Sequence, residues 1–262
     1  MKAWKLVFLV SVLLFGSYTS ASAAPVFWTD WTSSSSLNGF TGYGVITTGT
    51  STVNVTYTNN HGIGFFQASG GTDYWVNNGP YHHGRDASTS PFTSTLVDNI
   101  PTGTDIIALQ FAGSQTLTFS QAIANPVFSY VSLNGNGYGF LNQDFDILSY
   151  NDPATGNDCG YWGCGTSYKN VVTHTNGDIE YQLLGTGEPH GTIRFKGAFD
   201  TLTWNSLSNE YWNGFTVGVQ GTAEEVFPAP EPSSMIQLAS GLLLAAGLAG
   251  KVRNRAIRTT KA

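Results

Sequence analysis

Apolar and polar residues alternate one by one through much of the chain's middle. Val53, Val55 and Tyr57 fall on one side of a strand and Thr52, Asn54 and Thr56 on the other. Residues 116–119, 144–147, 192–196 and 215–219 repeat the pattern. A period of two sends successive side chains to opposite faces, so these read as half-buried strands. Residues 105–111 and 126–132 are more continuously apolar and read as central strands. Turn signals lie between them at Asn59–Gly62, Asn134–Gly137, Asn176–Asp178 and Gly185–Gly187. No stretch of this middle region carries a helical period. Many short strands at such spacing predict an all-β fold, an antiparallel β-sandwich of the jelly-roll kind. Residues 68–100, polar and rich in Gly and Pro, are expected to form a long loop over one face.

Both ends break the pattern. Lys2 and Lys5, the apolar stretch from Leu6 to Phe15, and Ala21-Ser22-Ala23 predict a secretory signal peptide over 1–24. At the other end, Pro230-Glu231-Pro232 and two serines precede an uncharged run from Met235 to Gly250. As a helix that run reaches roughly 24 Å, close to a hydrocarbon core of about 30 Å once Lys251 snorkels. The basic residues that follow, Lys251, Arg253, Arg255 and Arg258, are expected to stop transfer on the cytoplasmic side. The chain therefore divides into a signal peptide (1–24), a β-sandwich domain (25–226), a Pro-rich linker (227–234) and a transmembrane helix with a basic tail (235–262).

Charge changes the picture further. Of the 11 basic residues, two lie in the signal and five in the tail, leaving Arg85, Lys169, Arg194 and Lys196. Of the 17 acids only Glu231 lies outside the middle domain, which is thus strongly anionic. Such a surface repels phosphate backbones, so nucleic acid is disfavoured as a partner, while cations and neutral sugars stay open.

The Pro-Glu-Pro motif, apolar run and Arg-rich end, in that order at the chain terminus, resemble the PEP-CTERM sorting domain of Gram-negative bacteria. That resemblance implies passage through the inner membrane, processing by an exosortase, and delivery to the cell surface or an exopolysaccharide matrix. Asp30–Ser33, Thr116–Ser120, Asn125–Leu133, Gly191–Gly197 and Trp212–Gly218 are similar to a group of such proteins without an established activity. Pro189, where glycine is expected, and the cysteine pair depart from that group.

Cys159 and Cys164 enclose Gly-Tyr-Trp-Gly in an exported chain. A disulfide across this loop is the leading reading, with a redox pair or half of a zinc site as alternatives. Among the tryptophans, Trp204 and Trp212 read as core. Trp75, Tyr81 and Trp162 sit in Gly/Asn-rich loops, where packing within the loop is the favoured reading and stacking on sugar the alternative, a flat apolar ring with a polar edge being suited to it. Asp144 and Asp146 share one strand face, which is either a solvated edge or a calcium or glycosidase pair. Glu188 with His190 resembles an acid–base pair but reads as a hairpin turn, and His82-His83 lacks partners. No nucleophile elbow, phosphate loop or metal-ligand spacing is present. The expectation is a non-enzymatic protein with no catalytic residues, metal or cofactor. Its core is structural or sugar-associating. A carbohydrate- or calcium-dependent adhesion module is the alternative, and a glycoside-active enzyme the weaker one.

Overall fold

The computed structural model describes residues 25–76, 84–149 and 159–228. The signal peptide, Tyr81, His82, His83, Pro230-Glu231-Pro232, the apolar run and the basic tail lie outside the described residues.

The described chain is all-β, built as two large antiparallel sheets. One runs β10 (Phe145–Ser149), β13 (Gly191–Phe195), β8 (Val127–Val131), β15 (Asn213–Val219), β6 (Ile106–Leu109), β5 (Phe65–Gln67). β1 (Phe27–Trp28) extends the β6 edge of β15. The other runs β11 (Gly165–Thr173), β12 (Ile179–Gly187), β9 (Tyr138–Leu141), β14 (Ala198–Ser206), β7 (Gly113–Ala124), β4 (Thr52–Asn59), β3 (Phe40–Thr47), β2 (Asp30–Ser35). β16 (Gly221–Thr222) pairs with β7, and a single helical turn, α1 (Ala223–Val226), follows it. Thr222 caps that turn, and Glu225 reaches Thr48 Oγ1 at 2.7 Å, fastening the domain's end to the β3–β4 turn.

The sheets pack face to face through aromatic side chains. Tyr57 of β4 meets Phe215 of β15 at 5.3 Å, Phe128 of β8 meets Trp204 of β14 at 5.2 Å, and Phe140 of β9 meets Phe195 of β13 at 4.9 Å. Alternation explains why. Val53, Val55 and Tyr57 all point inward while Thr52 and Asn54 stay in solvent.

β15 departs from the expectation of a half-buried strand, because all seven of its residues are buried. Segments laid across its outer side are the cause, Ile106 with Trp212 over Gly214 and Val26 with Trp28 over Gly218, beside the long loop predicted over 68–100. Trp75, Phe92 and Ile100 from that loop pack with Ile106 and Val131 as a second apolar cluster. Phe92 O accepts from Thr192 Oγ1 at 2.9 Å, and the Trp75 indole N–H donates to Asp105 O at 3.1 Å. The middle of the smaller sheet's outer face is therefore covered, and β15 turns small residues, Gly214, Thr216 and Gly218, toward the cover.

Two turn readings also change. Gly185–Gly187 belongs to β12, not to a turn. Glu188–His190 joins β12 to β13, which lie in different sheets, so it is a crossover between sheets and not a hairpin.

Candidate ligand-binding face

Cys159 and Cys164 form a disulfide, and their residues pair as an antiparallel bridge. Inside it the Gly160 N–H donates to Gly163 O at 2.7 Å, leaving Tyr161 and Trp162 as the two tip residues. Gly163 has φ 148°, a backbone state that other residues rarely adopt, which suits the tight return. Trp162 at this tip is 55% exposed.

The tip does not stand alone. Tyr161 packs edge-on against Tyr74 at 5.0 Å, and Tyr74 packs against Trp212 at 5.0 Å. Trp162 lies 6.2 Å from Trp212, and Phe65 lies 5.1 Å from the same ring. Phe65 opens β5, Trp212 immediately precedes β15, and Tyr74 comes from the covering loop. Three separated segments therefore meet in one aromatic face, which rests on the buried Trp75–Phe92 cluster. Tyr211, 86% exposed, adjoins it in sequence. Rings locked edge-to-face by neighbours lose little further freedom when a ligand stacks on them.

Two acidic residues lie on segments next to the rings. Glu188 runs beside the hairpin, its backbone N–H donating to Cys164 O at 3.1 Å. The close approach of Gly165 to the Glu188 backbone leaves no room for a Cβ there. Glu188 accepts from Ser132 Oγ at 2.7 Å and from the Asn134 side chain. Glu210, two residues before Trp212, accepts from Asn213 Nδ2 at 2.9 Å and from the Asn134 backbone N–H. Asn134 thus bridges the two carboxyls. Glu210 Oε1 is buried without a hydrogen-bond partner. Burial, reinforced by the charge of Glu188, raises the Glu210 carboxyl to about 8.

Of the candidate stacking residues, Trp162 is on this face. Trp75 is not, since it is fully buried and serves the loop's core. Its neighbour Tyr74 takes the surface position. Trp204 is core as expected, whereas Trp212 is only partly buried and belongs to the face. Alternation could not reveal this, because Trp212 lies just outside its strand, where a period of two no longer applies.

The carboxylate pairs expected as rival sites are already engaged. Asp144 receives Lys169 Nζ at 2.7 Å, and Asp146 receives Lys196 at 2.7 Å and Arg194 at 3.5 Å. Those cations hold Asp146 below the usual carboxylate range, Lys196 contributing most. His190 is buried against Phe92, its Nδ1 bonded to Glu188 O at 2.8 Å, and burial lowers it to about 4. It is a neutral core histidine. A cleft of about 670 Å³ between β1, β3 and the loop is lined by Asp30 and Asp105. Burial and the hydrogen-bonded Asp30 carboxyl raise Asp105 to about 6, although the Trp31 N–H opposes the shift. Carboxyls close enough to share a proton are too close for the separation of about 5 Å or more that glycoside hydrolysis uses. Among the described residues no group of three or more His, Cys, Asp or Glu side chains is placed to hold a metal ion.

No protein-family model, curated protein or solved structure matches the chain. The face has to be read from its own chemistry.

Proposed function

We propose that the protein is exported and carried by its C-terminal signal, with exosortase processing, to the cell surface or exopolysaccharide matrix of a Gram-negative bacterium. There its core associates with sugar through the Trp162 face, without catalysing a reaction. The observation that carries the sugar reading is the aromatic face itself. A disulfide-closed hairpin holds a half-exposed tryptophan against its neighbour Tyr161 and against two rings from distant segments, Tyr74 and Trp212. Packing alone gives no reason to leave that ring in water. The order β6-β15-β8-β13 facing β7-β14-β9-β12 supports a jelly roll, an architecture that lectin domains use. The signal peptide, the Pro230-Glu231-Pro232 motif, the apolar run and the basic tail support export and sorting. A glycoside-active enzyme is less well supported, because Asp144 and Asp146 are ion-paired and Asp30 and Asp105 touch.

The test is retention of the mature protein on exopolysaccharide extracted from its own host. Trp162→Ala should weaken retention at least about tenfold, as loss of a ring at the centre of an interface does. Its melting temperature should stay near that of the parent, because Trp162 is half in water. Equal retention of parent and variant would sink the sugar reading.

A further inference from the structure

Which sugars the face takes is constrained by charge. All four cations of the domain are tied up in ion pairs: Arg85 with Asp73 at 2.6 Å, Lys169 with Asp144, and Arg194 and Lys196 with Asp146. Arg85 is further held by the carbonyls of Pro101 and Gly103. No lysine or arginine among the described residues is left without a carboxylate partner. On the other side of the balance, Glu188 abuts the Trp162 hairpin and Glu210 adjoins Tyr211 and Trp212, and neither has a cationic partner among the described residues. Asn134 holds the two carboxyls together, and neutral Ser132, Asn134 and Asn213 supply their hydrogen bonds. Aromatic faces themselves attract cations through their electron-rich centres.

We propose that the aromatic face takes glycans bearing amino groups and turns away uronic-acid polymers, with Glu188 as the residue that sets this preference. This rests on the sugar-associating reading above. An ammonium over the Trp162–Trp212 rings gains from both the rings and the nearby carboxylate. A uronate meets the same carboxylate with no counter-charge.

The test uses mature protein purified from its own host, at pH 6 and low salt, with three immobilised hexamers: β-1,4-linked glucosamine, its N-acetylated form, and a uronic acid. The glucosamine hexamer should bind about three- to tenfold more tightly than the acetylated one, and the advantage should shrink with added salt. Glu188→Gln should bring the ratio of the two hexamers' affinities close to one, and Trp162→Ala should weaken both. Equal affinity for the aminated and acetylated hexamers, or tightest binding of the uronate, would overturn the charge preference while leaving the aromatic face intact. Binding that Trp162→Ala leaves unaltered, or no binding to any hexamer, would remove both readings.

Discussion

Glu210 makes a prediction about folding that needs no ligand. Its carboxyl sits near 8 in the folded protein against 4.5 in an unfolded chain, because burial and the charge of Glu188 disfavour ionisation. A raised folded value means that the folded state binds the proton more tightly. The stabilisation is complete below pH 4.5 and is lost as pH rises through 8. Between pH 6.5 and 8.5, comparison with a variant that cannot ionise at this position isolates the residue, because Asp105, near 6, and His190, lowered to about 4, titrate alike in both proteins and cancel in the difference. Across that interval the folded state holds on average about 0.7 proton more than the unfolded chain, a loss of about 2 kcal/mol if Glu210 were cut off from water. Glu210 is only half-buried, so solvent screening reduces the expected loss to about 1 kcal/mol. Glu210→Gln keeps the shape and the Asn213 contact but cannot ionise. Urea unfolding at both pH values should show the parent losing this much stability relative to the variant as pH rises. Parallel pH profiles for the two proteins would refute the assignment of this titration to Glu210.

Three further outcomes follow from the same contacts. Replacing Cys159 and Cys164 by Ser opens a six-residue loop and should cost about 2 kcal/mol in denaturant unfolding, together with part of the Trp162-dependent retention. Trp75→Ala should cost about 3–5 kcal/mol, since it empties the core beneath the loop and strands a carbonyl partner. Its signature is a fall in melting temperature like that of any core truncation, with a ligand affinity that recovers at low temperature. Thr222→Ala, which removes the hydroxyl half of the capping box and leaves the backbone N–H to Glu225 in place, should lower stability by about 1 kcal/mol by the same unfolding assay.

Much of the framework was legible in the pattern of residues. Strict alternation located β4, β7 and β13, and the apolar runs located β6 and β8 as central strands. The covering loop was also readable, because a long Gly/Pro-rich segment between strands has few other places to go. Its consequence for β15 was not, since burial of a strand's outer face depends on which segment lies across it. The candidate face was half legible. Trp162 could be placed at a tip because Cys159 and Cys164 bound a short loop with glycines inside them. Tyr74 and Trp75 are neighbours with opposite fates, and only the Asp105 carbonyl, some thirty residues away, decides which indole or phenol goes inside. The Glu188–Glu210 pair was invisible because Asn134, which joins them, belongs to a third segment.

Export and sorting are tested most directly by the intact mass and location of the protein made in its own host. The prediction is a mature chain that begins just after Ala23 or Ala24, ends close to Pro232, carries one disulfide, and is recovered outside the inner membrane. A chain that keeps its apolar run and basic tail and stays in the inner membrane would contradict it, leaving the tail as a plain anchor and removing the main support for a place in the polysaccharide matrix.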